Sequence, residues 1–296
     1  MVKTGEQQYL DILQDILVNG VWKDSARKNM PRTKEVFCRT MAFDLSNGFP
    51  VFTTKKMAWK TSITELTWFL RGDTNIKYLL DNNCGIWTDD AYRFYKEQGG
   101  TDDKDTWVQK VRDGIENYGD CGAIYGHQWC NFDDNFNQLQ YVIESIKSAP
   151  NSRYHIMSIW NPVDFLQKRN SALPTCHLTY QFSVRGEYLD MVLVQRSCDM
   201  LLGVPFDVLS GSLFLTLMAN HTGYKPGVFN WVGHSCHIYE NHVDQALTII
   251  SRIPYKFPEL QIINKHDDIT QYTRNDFALI DYKYHDKVDI TLNTGL

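Results

Sequence analysis

At 296 residues the chain is within reach of one large domain and long for two. Its 43% hydrophobic and 13% aromatic content supplies a sizeable core, and a net charge of −5 speaks against nonspecific nucleic-acid binding, which needs a basic surface. An anionic substrate would therefore need a local cluster of arginines.

From Gln7 to Gly20, Leu10, Leu13, Ile16 and Leu17 recur at helical spacing, with Gly20 as the stop. A second helix is predicted to start at Ser62, because Ser62 and Glu65 have capping-box spacing ahead of Ile63, Leu66, Phe69 and Leu70. The polar, Gly/Asp-rich stretch 98–118 reads as a surface insertion within a single domain spanning 1–296. Val142 to Ile146 belongs to a helix ending near Pro150. His155–Trp160, Leu178–Val184 and Tyr188–Val194 read as strands, the last two joined at Arg185-Gly186-Glu187 as a hairpin. Val208 to His221 is a largely apolar helix whose Ser210, Gly211 and Ser212 imply close packing. The order mixes helices and strands without a βαβ beat, which predicts an α+β fold.

The seven cysteines are odd in number and contain no CxxC pair, so neither a disulfide framework nor a structural zinc site is expected. A reducing, cytoplasmic setting fits, and no metal is expected. The N-terminus lacks an apolar signal segment, and no run of about 18 apolar residues predicts a membrane span.

Three constellations carry chemistry. Cys176-His177 offers a thiol beside an imidazole, either a nucleophile or an inert buried cysteine. Gln195-Arg196-Ser197-Cys198-Asp199, followed by Leu202 to Asp207, offers guanidinium and hydroxyl donors for a phosphate. Asp207 can equally be the N-cap of the helix that follows. His237 and Tyr239 stand two apart on a strand, so they face one side and suit a sugar hydroxyl or a core position.

Together these pieces resemble the thymidylate synthase family. The match also takes in Asn47 to Pro50, Thr53 to Lys55, Glu65 to Ile76, Ile86-Trp87, Tyr125 to Trp129 and Asn151 to Arg153, in the family's order. The resemblance implies a large mixed sheet packed with helices and a sheet-on-sheet homodimer. It implies that Cys176 adds to carbon 6 of a pyrimidine nucleotide, so that carbon 5 attacks the methylene group of methylenetetrahydrofolate. Glu65 is implied as general acid/base, Tyr125 as an aid in removing the carbon 5 proton, and His177 as part of the water network. Arg196, Ser197 and Gln195 are implied around the substrate, with His237 and Tyr239 on the 3′-hydroxyl. Asp199, Trp87 and Lys55 are implied at the folate, on its pterin, its aromatic wall and its glutamate tail. Arg153 would cross the dimer interface to the partner's phosphate.

The chain departs from the family's pattern at several points. Tyr154 replaces a second arginine, and the loop Arg27 to Thr33 lacks the usual glycines, leaving Arg32, Arg27 or Lys28 for the phosphate. Asp207 stands where the synthases have asparagine, and a carboxylate accepts where the amide can donate. It suits the 4-amino group of cytosine, as in the phage dCMP hydroxymethylases, which also share the serine of Gly233-His234-Ser235-Cys236-His237. The tail 290–296 does not match the synthase C-terminus, which closes over the folate and excludes water. The reading is therefore hydroxymethylation of dCMP, with methylation of dCMP, or a synthase acting on dUMP, as alternatives. If the gene is a phage's, the setting is the host cytoplasm. A cysteine hydrolase has nothing beyond Cys176-His177 to support it. A noncatalytic or RNA-binding dimer would leave the intact set of Cys176, Glu65, Tyr125 and Arg196 without a use.

Overall fold

The computed structural model describes residues 5–25, 29–168, 170–291 and 293. The first half is mainly helical: α1 Gln7–Asn19, α2 Trp59–Leu70, α3 Lys77–Asp81, α4 Thr88–Glu97, α5 Lys104–Arg112, α6 Tyr125–Cys130 and α7 Gln138–Ser148, with strands β1 Val21–Lys23 and β2 Thr33–Asp44. The second half supplies β3 Ile156–Ser158, β4 His177–Arg185, β5 Tyr188–Asp199, α8 Gly203–Thr222, β6 Lys225–Tyr239, α9 Val243–Ile250, β7 Glu259–Ile262 and β8 Phe277–Ile280.

Six strands form one mixed sheet in the order β1-β2-β6-β5-β4-β3. Its neighbours are antiparallel except β5 and β6, which are parallel and joined through α8. Such a crossover is what a parallel pair requires. β7 and β8 make a separate antiparallel pair. The α+β expectation holds. Among the described residues, no helix is long and apolar enough to cross a membrane.

One face of the sheet packs on the helices. Along β6, Phe229 and Trp231 are fully buried, while Val228, Asn230 and Val232 keep partial exposure on the other face. That second face also carries Phe37, which is 70% exposed. α8 is apolar on all sides because sheet and helices both cover it. An added Cβ on Gly211 would lie 2.6 Å from the Phe229 ring, which explains the small residues at its centre.

Several boundaries differ from the sequence reading. α2 begins three residues early, at Trp59, so Ser62 and Glu65 lie inside it. The capping box is therefore corrected: Ser62 is buried, and its hydroxyl donates to the Phe206 carbonyl. α8 begins at Gly203, so Asp207 lies in its second turn and is not an N-cap. Pro205 is tolerated there because first-turn N–H groups have no intrahelical partner. β3 covers only the middle of the expected 155–160 strand. The 98–118 stretch is largely exposed, but it contains α5, whose Trp107 and Val111 are buried. The β4–β5 hairpin turns at Gly186, whose φ of +63° suits glycine.

Candidate active site

The site is assembled where β4, β5, α8, α2 and α6 meet. Cys176 immediately precedes β4, and its carbonyl accepts from the Arg196 N–H on β5 at 2.8 Å. Its own N–H donates to the Tyr125 hydroxyl at 2.8 Å. The Thr175 hydroxyl ties the same loop to the carbonyls of Ile159 and His177. Cys176 is partly exposed, whereas Cys84, Cys121, Cys198 and Cys236 are buried. Burial pushes the Cys84 thiol up to about 11 and the half-buried Cys130 thiol up to about 12.

A bulge between His177 and Thr179 interrupts the β4–β5 ladder. Bulges of this kind re-aim side chains beside active sites. His177 and Gln195 are direct partners across the two strands, so their side chains share a face and both reach Asp207 on α8. Asp207 Oδ1 is 3.1 Å from His177 Nε2, and Oδ2 accepts from Gln195 Nε2 at 2.8 Å. His177 Nδ1 is 2.7 Å from the Tyr180 hydroxyl, and Gln195 Oε1 accepts from the Trp231 indole at 2.8 Å. Burial raises the Tyr180 hydroxyl well above the usual phenol range, so it stays protonated.

Glu65 projects from α2 and accepts from the Trp87 indole at 2.6 Å. Its carboxyl is pushed up to about 7, chiefly by burial, with the charge of Asp207 adding and the Trp87 hydrogen bond opposing. Trp87 is packed edge-on to Tyr125, with ring centroids 6.1 Å apart, and Tyr125 stacks on Phe69 at 4.6 Å. Burial raises the Tyr125 hydroxyl well above its ordinary value, the nearby Cys176 contributing next.

The Arg196 Nε and Nη2 groups donate to the carbonyls of Thr175 and Pro174 at 2.8 and 3.0 Å, and its guanidinium lies 5.1 Å from the centre of the Trp160 ring. It thus braces the loop that carries Cys176. Ser197 follows it on β5. Asp199 Oδ1 caps the N–H groups of Leu201 and Leu202 at 3.0 and 3.2 Å, while Oδ2 makes no hydrogen bond among the described residues. A carboxylate oxygen with no hydrogen bond among the described residues is an acceptor that fits a pterin, whose ring carries N–H groups. Lys55 is buried, with its ammonium donating to the Leu201 carbonyl. Burial lowers it to about 8, against the raising effects of Asp199 and Glu6. It faces the loop before α8, so reaching a glutamate tail would mean exchanging that partner.

His237 and Tyr239 lie at the end of β6, with rings perpendicular and centroids 5.3 Å apart. His237 Nδ1 is 3.1 Å from the Ser235 carbonyl, which fixes that nitrogen as the donor and leaves Nε2 as an acceptor. Arg32 precedes β2 near the same strand end and is ion-paired with Glu240. Arg27 and Lys28 lie outside the described residues. Arg153 is exposed and has no hydrogen bond or ion pair among the described residues, and Tyr154 beside it is 76% exposed. In the tail, the Thr291 carbonyl is 2.8 Å from His242 Nε2, and Asn293 meets Asn241. Leu292 and 294–296 lie outside the described residues. Two contributors escaped the sequence reading: Tyr180, three residues after His177 on a bulged strand, and Trp231, 36 residues from its partner Gln195.

The thymidylate synthase family profile matches residues 7–294. The thymidylate synthase of Mycoplasma genitalium is 40% identical over 284 residues, covering 94% of this chain and 96% of that protein. That of Mycoplasma pneumoniae is 39% identical over 287 residues, again covering 94% and 96%. The chain belongs to the thymidylate synthase family, folate-dependent enzymes that transfer a one-carbon unit to a nucleotide.

Proposed function

We propose that the substrate is dCMP and that the product is 5-hydroxymethyl-dCMP. The observation that carries this reading is Asp207, with Oδ2 accepting from Gln195, Oδ1 3.1 Å from His177 Nε2, and 21% of its side chain still exposed. A carboxylate held in this way accepts from the cytosine 4-amino group and from a protonated ring nitrogen 3. The 4-oxygen of uracil would meet another acceptor, at a cost of about 1–3 kcal/mol, or roughly 5- to 150-fold.

Cys176 adds to carbon 6, forming a carbon–sulfur bond and moving the ring's electron pair to carbon 5. Methylenetetrahydrofolate, when bound, supplies the one-carbon unit that carbon 5 takes up. Tyr125, next to the Cys176 N–H, helps remove the carbon 5 proton. Glu65, with its carboxyl near 7, holds or gives a proton at neutral pH. Loss of the carbon 5 proton would break the carbon–nitrogen bond to the folate, releasing tetrahydrofolate and leaving an exocyclic methylene carbon; water would then add its oxygen there, and the carbon–sulfur bond would break as the ring double bond returns. Asp199 and Trp87 hold the folate, and Lys55 reaches its tail by leaving the Leu201 carbonyl. Arg196 and Ser197 hold the phosphate, with Arg32 as the further donor. His237 and Tyr239 take the 3′-hydroxyl.

The tail departs from that of the synthases and supports entry of water. The exposed Phe37 on the second sheet face and Arg153, which has no ion pair among the described residues, support a homodimer in which that arginine serves the partner's phosphate. A second reading, a synthase acting on dUMP, is favoured by the names of the two relatives. Turnover of dCMP with methylenetetrahydrofolate in oxygen-labelled water separates the cases by mass spectrometry. Labelled hydroxymethyl-dCMP is the expected product. Methyl-dCMP without label would contradict water capture, and methylation of dUMP with dCMP untouched would favour the second reading.

A further inference from the structure

We propose that Trp231 is a specificity-determining positioning residue, acting through Gln195 to hold Asp207 as a hydrogen-bond acceptor for the base. The inference rests on the dCMP reading above.

An indole N–H donates and cannot accept. Trp231 Nε1 lies 2.8 Å from Gln195 Oε1, so the amide oxygen must face the indole. The amide NH2 is then turned to the Ser197 carbonyl at 3.0 Å and to Asp207 Oδ2 at 2.8 Å. Trp231 is fully buried and Gln195 is 2% exposed, so water is not at hand to replace a lost partner. The backbone is shaped for this contact. Gly233 is the partner of Gln195 across β5 and β6. A Cβ on Gly233 would lie 2.1 Å from the Trp231 ring, so only glycine lets the indole cross to the glutamine.

The other oxygen of Asp207 is held differently. Its partner His177 leads to Tyr180, and a phenol can donate or accept while an imidazole has two tautomers. That arm can reverse its direction. The Trp231 arm cannot, so Trp231 imposes an acceptor at Oδ2. Without the indole N–H, the Ser197 carbonyl alone opposes a turn of the Gln195 amide, and in the turned state its oxygen faces Asp207, which then carries a proton and tolerates the 4-oxygen of uracil.

Dissociation constants for dCMP and dUMP, measured by calorimetry on wild type and Trp231→Phe, test this. The expected result is a fall of about tenfold in preference for dCMP, the scale of one buried hydrogen bond, with dUMP binding not weakened. General damage to the fold would weaken both nucleotides and leave the ratio unchanged. Because Trp231 is buried, the ratio is also read with 3-benzothienylalanine placed at position 231, which changes the N–H to sulfur at nearly constant shape. A folded variant of either kind whose ratio stays within about twofold of wild type overturns the inference. If wild type binds dUMP as tightly as dCMP, the dCMP reading falls and this inference with it.

Discussion

Asp207→Asn should turn the enzyme toward dUMP. The Gln195 amide is held by Trp231 and Ser197, so it still donates, and the new amide oxygen must take the place of Oδ2. The new NH2 then faces His177 Nε2. His177 accepts it by moving its proton to Nδ1, where the Tyr180 oxygen accepts in turn. No buried group is left unpaired, so the melting temperature should move little. At the base, the amide now donates to a 4-oxygen and meets the cytosine amino group with a clash of donors. One mismatched contact costs about 1–3 kcal/mol, and a similar gain for uracil takes the swing in the dCMP to dUMP kcat/KM ratio to about 25-fold or more. The assay is competition between equal concentrations of the two nucleotides, with products resolved by mass spectrometry. A folded variant whose ratio moves less than about threefold would refute the reasoning.

Glu65→Gln should lower kcat strongly and change the pH dependence of stability. The folded carboxyl near 7 lies above its ordinary value of 4.5, so its stabilising contribution is complete below about 4.5 and is lost as pH rises through 7. Melting curves should show wild type losing roughly 2 kcal/mol relative to the variant between pH 4.5 and 8, a figure reduced for the carboxyl's partial contact with water. Parallel curves would contradict the burial argument. Arg153→Glu should be inactive alone, yet mixing it with Cys176→Ala should restore activity, since a mixed dimer has one site with both groups intact. No recovery after subunit exchange would count against the shared site. His155→Leu should leave the melting temperature unchanged or raise it, because both ring nitrogens of His155 are buried without a hydrogen-bond partner among the described residues. A drop of several degrees would mean that the ring has a partner.

The β4–β5 hairpin was readable from alternation and from Gly186, and the ordered motifs carried the family. What escaped was long-range or contrary to local signals. Ser62 and Glu65 have capping spacing, but tertiary packing extends α2 back to Trp59 and buries Ser62 against Phe206. Asp207 ahead of an apolar run allows an N-cap, yet α8 opens at Gly203 and carries Asp207 in its second turn. Trp107 inside a polar stretch was the available signal that 98–118 contains packed structure. The pairing of Trp231 with Gln195 depends on a parallel register set across α8, which no local pattern records.

The most direct test of the central claim is kcat/KM for dCMP against dUMP on the wild-type protein with saturating methylenetetrahydrofolate. The Asp207 geometry predicts a preference for dCMP of roughly 5- to 150-fold. A preference for dUMP would contradict it, and the carboxylate would then have to bind the base in its protonated form.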